Sequence, residues 1–238
     1  MARIFCWRIA AGLLLATGLA LIAGTVTGEE AIVKNPPAVD IVQLPRPDFD
    51  GGMTLDQALL NRRSQRNFSE RPLTLDQVGR ILWAAQGVTS DRGFRTAPSA
   101  GALFPLEVYL VSGRTQDLAA GIYHYLPGAH QLRPVKSGDY RSDLARAALS
   151  QKSVATAAVS IVITDVSKRT TVKYGERGEQ YILIETGHAA QNILLEAQAL
   201  GLGAVPVGAF EQSRVHRLLG LSEGEQPLYI IPVGHPAE

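Results

Sequence analysis

The heptapeptide Arg62-Arg63-Ser64-Gln65-Arg66-Asn67-Phe68 sets three guanidinium groups and a hydroxyl within five positions, next to an aromatic residue. A guanidinium pairs bidentately with phosphate and stays charged at any relevant pH, so such a cluster in an ordered segment suits a bound phosphate or delocalised anion. The dipole at a helix C-terminus favours the same cations, so the stretch alone admits a solvated reading as well as a binding one. Small residues in Pro98-Ser99-Ala100-Gly101-Ala102-Leu103-Phe104-Pro105 let the backbone approach something flat or charged, and they equally make a tight turn. In the apolar segment 179–200, Glu185, His188, Asn192 and Glu196 are spaced three, four and four apart and share one helical stripe. A hydrogen-bonded or solvated strip accounts for that spacing as readily as a catalytic row does.

The elements that must position these groups are legible in part. Thr54 and Thr74 are placed to cap helices over residues 55–62 and 75–86, the first delivering the arginines at its end and the second stopping at Gly87. Trp83 fills core or an interface. A polar loop over 88–97 leads into the small-residue run. Alternation or β-branched runs predict strands at 106–112, 122–125, 131–135, 157–164, 204–208 and 228–233, with a hairpin around Pro127-Gly128. Helical patterns cover 139–148, 179–200 and 212–219. Strands and helices mix without regular alternation, which indicates α+β.

Composition narrows the classes. A chain of 238 residues, 46% hydrophobic, with 23 Lys and Arg against 22 Asp and Glu, can bury one sizeable core and carries no electrostatic footprint for nucleic acid. Arg3 and Arg8 precede the uncharged run 9–28, and Glu29-Glu30 follow. Residues 1–28 therefore read as a signal peptide or an N-terminal membrane anchor, which puts the remainder outside the cytoplasm, periplasmic, secreted or tethered to the inner membrane. Residues 29–52, rich in proline, read as an extended linker, and 53–238 as the folded domain. The sole cysteine, Cys6, precedes the apolar run, so the exported body has no thiol chemistry. Its five histidines form no HExxH, no carboxylates have calcium-loop spacing, and no metal site is expected.

Taken in order, Arg62-Arg63-Ser64-Gln65-Arg66-Asn67-Phe68, Pro72-Leu73-Thr74-Leu75, Leu82-Trp83-Ala84-Ala85-Gln86-Gly87, the run 98–105, Lys173-Tyr174-Gly175-Glu176-Arg177-Gly178, Gly187-His188-Ala189-Ala190-Gln191-Asn192 and Pro232-Val233-Gly234 resemble SagB-type dehydrogenases. These belong to the FMN-dependent nitroreductase superfamily, and the resemblance runs from about residue 54 to the C-terminus. It implies a nitroreductase-like α+β fold, with a central, mostly antiparallel sheet flanked by helices, in an intertwined homodimer holding two FMN at the subunit interface.

By motif match, Arg66 would stand at the pyrimidine edge of the flavin, where a fixed cation stabilises the negative charge of the reduced ring. Arg62 and Ser64, with Arg63, would hold the phosphate and ribityl chain. Pro98, Ser99, Ala100 and Gly101 would lie on the same flavin from the other subunit, and the Val207, Gly208 and Ala209 backbone would face N5. Lys173 and Tyr174 match a Lys-Tyr pair associated with proton removal in azoline oxidation, where an ammonium beside a phenol favours loss of its proton. The resemblance thus implies an exported FMN-dependent oxidoreductase that transfers hydride at N5 to or from a small-molecule or peptide substrate. An NAD(P)H-dependent nitro or quinone reductase and a non-catalytic flavin-binding module are the alternatives.

Overall fold

The β-branched run Val159–Val166 is buried at seven of its eight residues, as befits a central strand covered on both faces. The computed structural model describes residues 40–50 and 52–237. The expected signal or anchor at 1–28 lies outside them, as does half of the expected linker over 29–52. The sheet comprises β1 (Val42–Gln43), β2 (Leu106–Ser112), β3 (Gly121–Leu126), β4 (Gln131–Ser137), β5 (Val159–Val166), β6 (Gly203–Ala204) and β7 (Glu225–Gly234). Its seven strands lie in the order β1-β4-β3-β2-β5-β7-β6, and every ladder between them is antiparallel.

Side chains alternate across these strands, so the sheet has two cores. Leu106, Val108 and Leu110 of β2 join Ile161 and Ile163 of β5 on one face, under α2 (Leu75–Gln86) and α6 (Arg177–Ala199). Tyr109 and Val111 join Val162 and Ile230 on the other, under α3 (Arg141–Ala147), α4 (Lys152–Thr156) and α7 (Gln212–Leu219). The result is the expected α+β arrangement, a mostly antiparallel sheet between helices.

Both expected caps form. Thr54 begins α1 (Leu55–Asn61) and Thr74 begins α2, each in a capping box closed by a glutamine three residues on. Such a cap contributes about 1 kcal/mol. α6 buries Ile182, Ala189, Ile193 and Ala197, but Leu183 and Ile184 on its outer side are 60% and 55% exposed. Leu55, Leu59 and Leu60 of α1 are likewise exposed.

Two helices carry no apolar periodicity and were not expected, α4 and α5 (Lys168–Tyr174). The strand expected at 204–208 is cut to β6, because Pro206 has no N–H to give the ladder. Val207 nevertheless donates to Ile230 O at 2.8 Å, so the segment still follows β7. The compact unit spans Ala38–Glu238. Within it Val42–Gln43 pair with β4 and Leu44 is 2% exposed, so this part of the extended segment is held against the body.

Candidate functional site

At Arg62 the backbone leaves the helical region, with ψ 122°, and the chain lies down along the β6 edge of the sheet. Gln65 N–H donates to Ala204 O at 3.0 Å, Ser69 N–H to His235 O at 2.9 Å, and Ala237 N–H to Asn67 O at 3.1 Å. Two glycines permit the close approach. A Cβ at Gly203 would stand 2.7 Å from Gln65 Cβ, and one at Gly234 would stand 3.0 Å from Phe68 Cδ1. Phe68 is thereby buried as the anchor of the stretch.

With the backbone zipped down, Arg63, Ser64 and Arg66 are exposed and Arg62 is half-buried. None of these arginines is ion-paired with a described carboxylate. Arg63 Nη1 donates to the carbonyls of Leu60 and Arg62 at 3.0 and 2.8 Å, which closes the C-terminal end of α1. Along the same edge Val207 is buried, while Gly208 and Ala209 are open to solvent. Gln65 N–H and Ala204 O thus tie the stretch of Arg62, Arg63, Ser64 and Arg66 to the segment that continues into Val207, Gly208 and Ala209.

The second group is built around the 98–105 run. Phe104 N–H donates to Ser99 Oγ at 2.9 Å, and the turn between them is left-handed at Gly101, Ala102 and Phe104, with φ of 63°, 54° and 45°. Side chains at Ala102 and Phe104 make that conformation costly, so it persists only because its surroundings hold it. Arg169, near the start of α5, donates to Phe104 O at 3.1 Å and pairs with Glu107 at 2.6 Å. Glu107 also meets His124 Nε2 at 2.7 Å. Burial works to raise the Glu107 carboxyl, but the hydrogen bonds from His124 and Arg169 outweigh it and hold the group below the usual range.

Arg169 thus clamps α5 to the loop, and the end of α5 comes to rest on Gly101. A Cβ at Gly101 would lie 2.8 Å from Tyr174 Oη and 2.9 Å from Lys173 Nζ. The Tyr174 ring meets Tyr181 edge-on, centroids 5.1 Å apart, and Lys173 Nζ is 5.3 Å from the Tyr174 centroid. Lys173 and Tyr174 are therefore brought together with Pro98, Ser99, Ala100 and Gly101.

Beside this loop opens a cavity of about 280 Å³ lined by Pro98, Ser99, Ala100, Tyr181, Glu185 and His188 among others. Glu185 is 2% exposed, and its Oε1 has no hydrogen-bond partner. Burial pushes its carboxyl up to about 7, against the opposing effects of the Ser99 hydroxyl and the Arg95 guanidinium. The α6 stripe divides here. Asn192 donates to Thr96 O at 3.4 Å and Glu196 pairs with Arg80 at 2.8 Å, both on a separate cavity beside α1, whereas Glu185 lines the cavity at the 98–101 loop with one oxygen unpartnered. Sequence reasoning placed Glu185 on the stripe without placing it in the site; the spacing was the only signal.

No hydrogen bond or ion pair among the described residues joins the arginine group to the Gly101 group. Their chemistry nevertheless fits one ligand type. Guanidiniums without a carboxylate partner suit an anionic tail, and the small residues at 98–101 and 208–209 leave room for a flat ring. That is the donor set FMN requires.

The nitroreductase family pattern matches residues 59–235. A protein of Methanocaldococcus jannaschii described as a candidate nitroreductase is 40% identical over 199 residues, 84% of this chain and 99% of its own length. Among solved structures, a candidate nitroreductase of Ralstonia eutropha superposes with a TM-score of 0.74 at 30% identity, covering 83% of this chain and 90% of that one. A chain of the Escherichia coli microcin synthetase complex, solved with a truncated microcin precursor bound, superposes with a TM-score of 0.64 at 26% identity, covering 92% of this chain and 85% of that one.

Proposed function

This chain belongs to the nitroreductase family, and on that footing we propose that it is an exported, homodimeric, FMN-dependent oxidoreductase of the SagB-like kind. The observation that carries the reading is the meeting of Gly101 with Lys173 Nζ and Tyr174 Oη, which sets a paired ammonium and phenol against a small-residue loop. Likeness to a chain of the microcin synthetase, solved with a truncated precursor bound, supports the SagB-like branch, and with it we carry the azoline-type heterocycle as the substrate proposed.

When bound, FMN supplies a reversible two-electron hydride carrier. The chain's own groups do the rest. Arg62, Arg63 and Ser64 hold the phosphate and ribityl chain, and Arg66 places a permanent positive charge where negative charge develops on the ring. Oxidation of a substrate releases one proton with each hydride. The pair of Lys173 and Tyr174 takes up that proton. The same residues run in reverse serve a reductase of nitro or quinone acceptors, the second reading, favoured by the near full-length likeness to the M. jannaschii protein.

The exposed apolar residues Leu55, Leu59 and Leu60 on α1 and Leu183 and Ile184 on α6, each more than half exposed, support a second copy of the chain as their cover. Residues 1–28 support export. The deciding experiment is expression with FMN supplied, followed by a visible spectrum and by oxidation assays of Lys173→Ala and Tyr174→Ala. Flavin absorbance in all three proteins, with oxidation lost in both variants, is the expected result. A wild-type protein with no flavin absorbance would overturn the reading.

A further inference from the structure

Glu185 lines the cavity beside the 98–101 loop, and the pairing of Lys173 with Tyr174 leaves it without a task. Its carboxyl is 2% exposed and one oxygen is unpartnered, an arrangement a protein retains only at a cost in stability. No described cation forms an ion pair with it. Arg95, facing it from the loop after α2, directs Nη1 instead to the Gln86 carbonyl and side-chain oxygens at 3.5 and 3.4 Å and lies over the Phe104 ring, 4.9 Å from its centroid. From the 98–105 loop only the Ser99 hydroxyl faces it, and from its own helix Tyr181 and His188 share its cavity. That cavity begins at Pro98, Ser99 and Ala100, next to the Gly101 contact with Tyr174. A carboxyl with a free oxygen, a hollow beside it and hydride chemistry a few residues away has what a proton donor requires.

We propose that Glu185 is a proton-exchanging residue of this site: its carboxyl gives a proton through Oε1 to a substrate that receives a hydride, and takes one back from water entering beside Pro98, Ser99 and Ala100. In that step the substrate gains a hydride with its electron pair and a proton, the flavin supplied by the proposed function is oxidised, and Glu185 passes from acid to carboxylate and back. The role rests on that function, but its test reads separately.

Full-length protein with FMN bound is compared as wild type, Glu185→Gln and Ser99→Ala. In pH-difference infrared spectra the wild type should show a carboxylic-acid carbonyl band that persists well above the pH at which ordinary carboxyls ionise. The band should be absent from Glu185→Gln and should persist to higher pH in Ser99→Ala. In single-turnover oxidation of the reduced proteins by a small quinone, Glu185→Gln should be slowed at least tenfold and lose its pH dependence between 6 and 8, with flavin content unchanged. Bound flavin together with a wild-type rate and pH profile in Glu185→Gln, or a band that titrates with the surface carboxyls, would overturn the proposal and leave the FMN reading intact. Absence of flavin from the wild type would remove both.

Discussion

Gly101 and Tyr174 are apposed so closely that a Cβ on the first would lie 2.8 Å from the hydroxyl oxygen of the second. Because Gly101 also has φ 63°, alanine there is strained as well as obstructive, at about 1 kcal/mol. Tyr174 Oη and Lys173 Nζ are the ends of flexible side chains, so they are displaced while the fold survives. Gly101→Ala should lower Tm by only about 2–4 °C and keep its flavin, yet lose more than tenfold in turnover. Calorimetry, flavin absorbance and steady-state rates check it; unchanged turnover would separate the pair from the chemistry.

The arginines should divide their work between the two ends of the cofactor. A hydrogen bond to a charged group is worth about 1.5–3 kcal/mol, hence roughly a ten- to hundredfold change in Kd. Arg62→Ala should weaken FMN by that much and riboflavin, which lacks the phosphate, hardly at all. Arg66→Ala should weaken both. Fluorescence titration with the two ligands distinguishes them, and equal losses of FMN alone in both variants would take Arg66 away from the ring.

The segment over 42–45 should loosen in mild acid. Pro45 O can only accept, so His130 Nε2 donates to it at 2.9 Å, and Nδ1 of the neutral ring accepts from the Tyr125 hydroxyl at 2.8 Å. Burial lowers the His130 pKa more than the Pro45 bond raises it. The unfolded chain then takes up its proton first, so the stabilisation is complete above about pH 6.5 and is lost as pH falls through that value, levelling off below the folded-state pKa. Tyr125→Phe should cost about 1 kcal/mol at pH 8. Limited proteolysis before Met53 should accelerate between pH 7 and 5.5 in the wild type, and a rate independent of pH would exclude His130 as the cause.

The outer faces of α1 and α6 should hold two copies together. Placing charge at the exposed Leu60 or Leu183, 71% and 60% accessible, should turn a dimer into a monomer in sedimentation runs at micromolar concentration. Each variant should shed flavin if the site needs the second copy. A wild type that sediments as a monomer would end the homodimer reading.

Much of the scaffold was legible because its signals are local. Thr54 and Thr74 name their helices through the glutamines three residues on, and β2 and α7 fall where expected. The elements that escaped are held from a distance. α5 has no apolar periodicity, its one aliphatic residue Val172 being exposed, and is fixed by Arg169 reaching Phe104 O and Glu107, contacts that no window of sequence contains. For the same reason Lys173 and Tyr174 look like surface residues until Gly101 is set against them. Glu185, Asn192 and Glu196 share a stripe, and only the partners supplied by the facing loop and helix decide which of them is left with an unpaired oxygen.

The two outermost strands of the sheet are each two residues long. Beyond β1 the exposed rim of β4 carries Arg133, Pro134 and Lys136, a missing donor flanked by charges. A neighbouring molecule therefore finds almost no ladder to lengthen, although the interior strands are apolar enough to polymerise if bared. Growth into fibres is blocked at both borders of the sheet, and at high concentration self-association is left to the leucine-bearing helices.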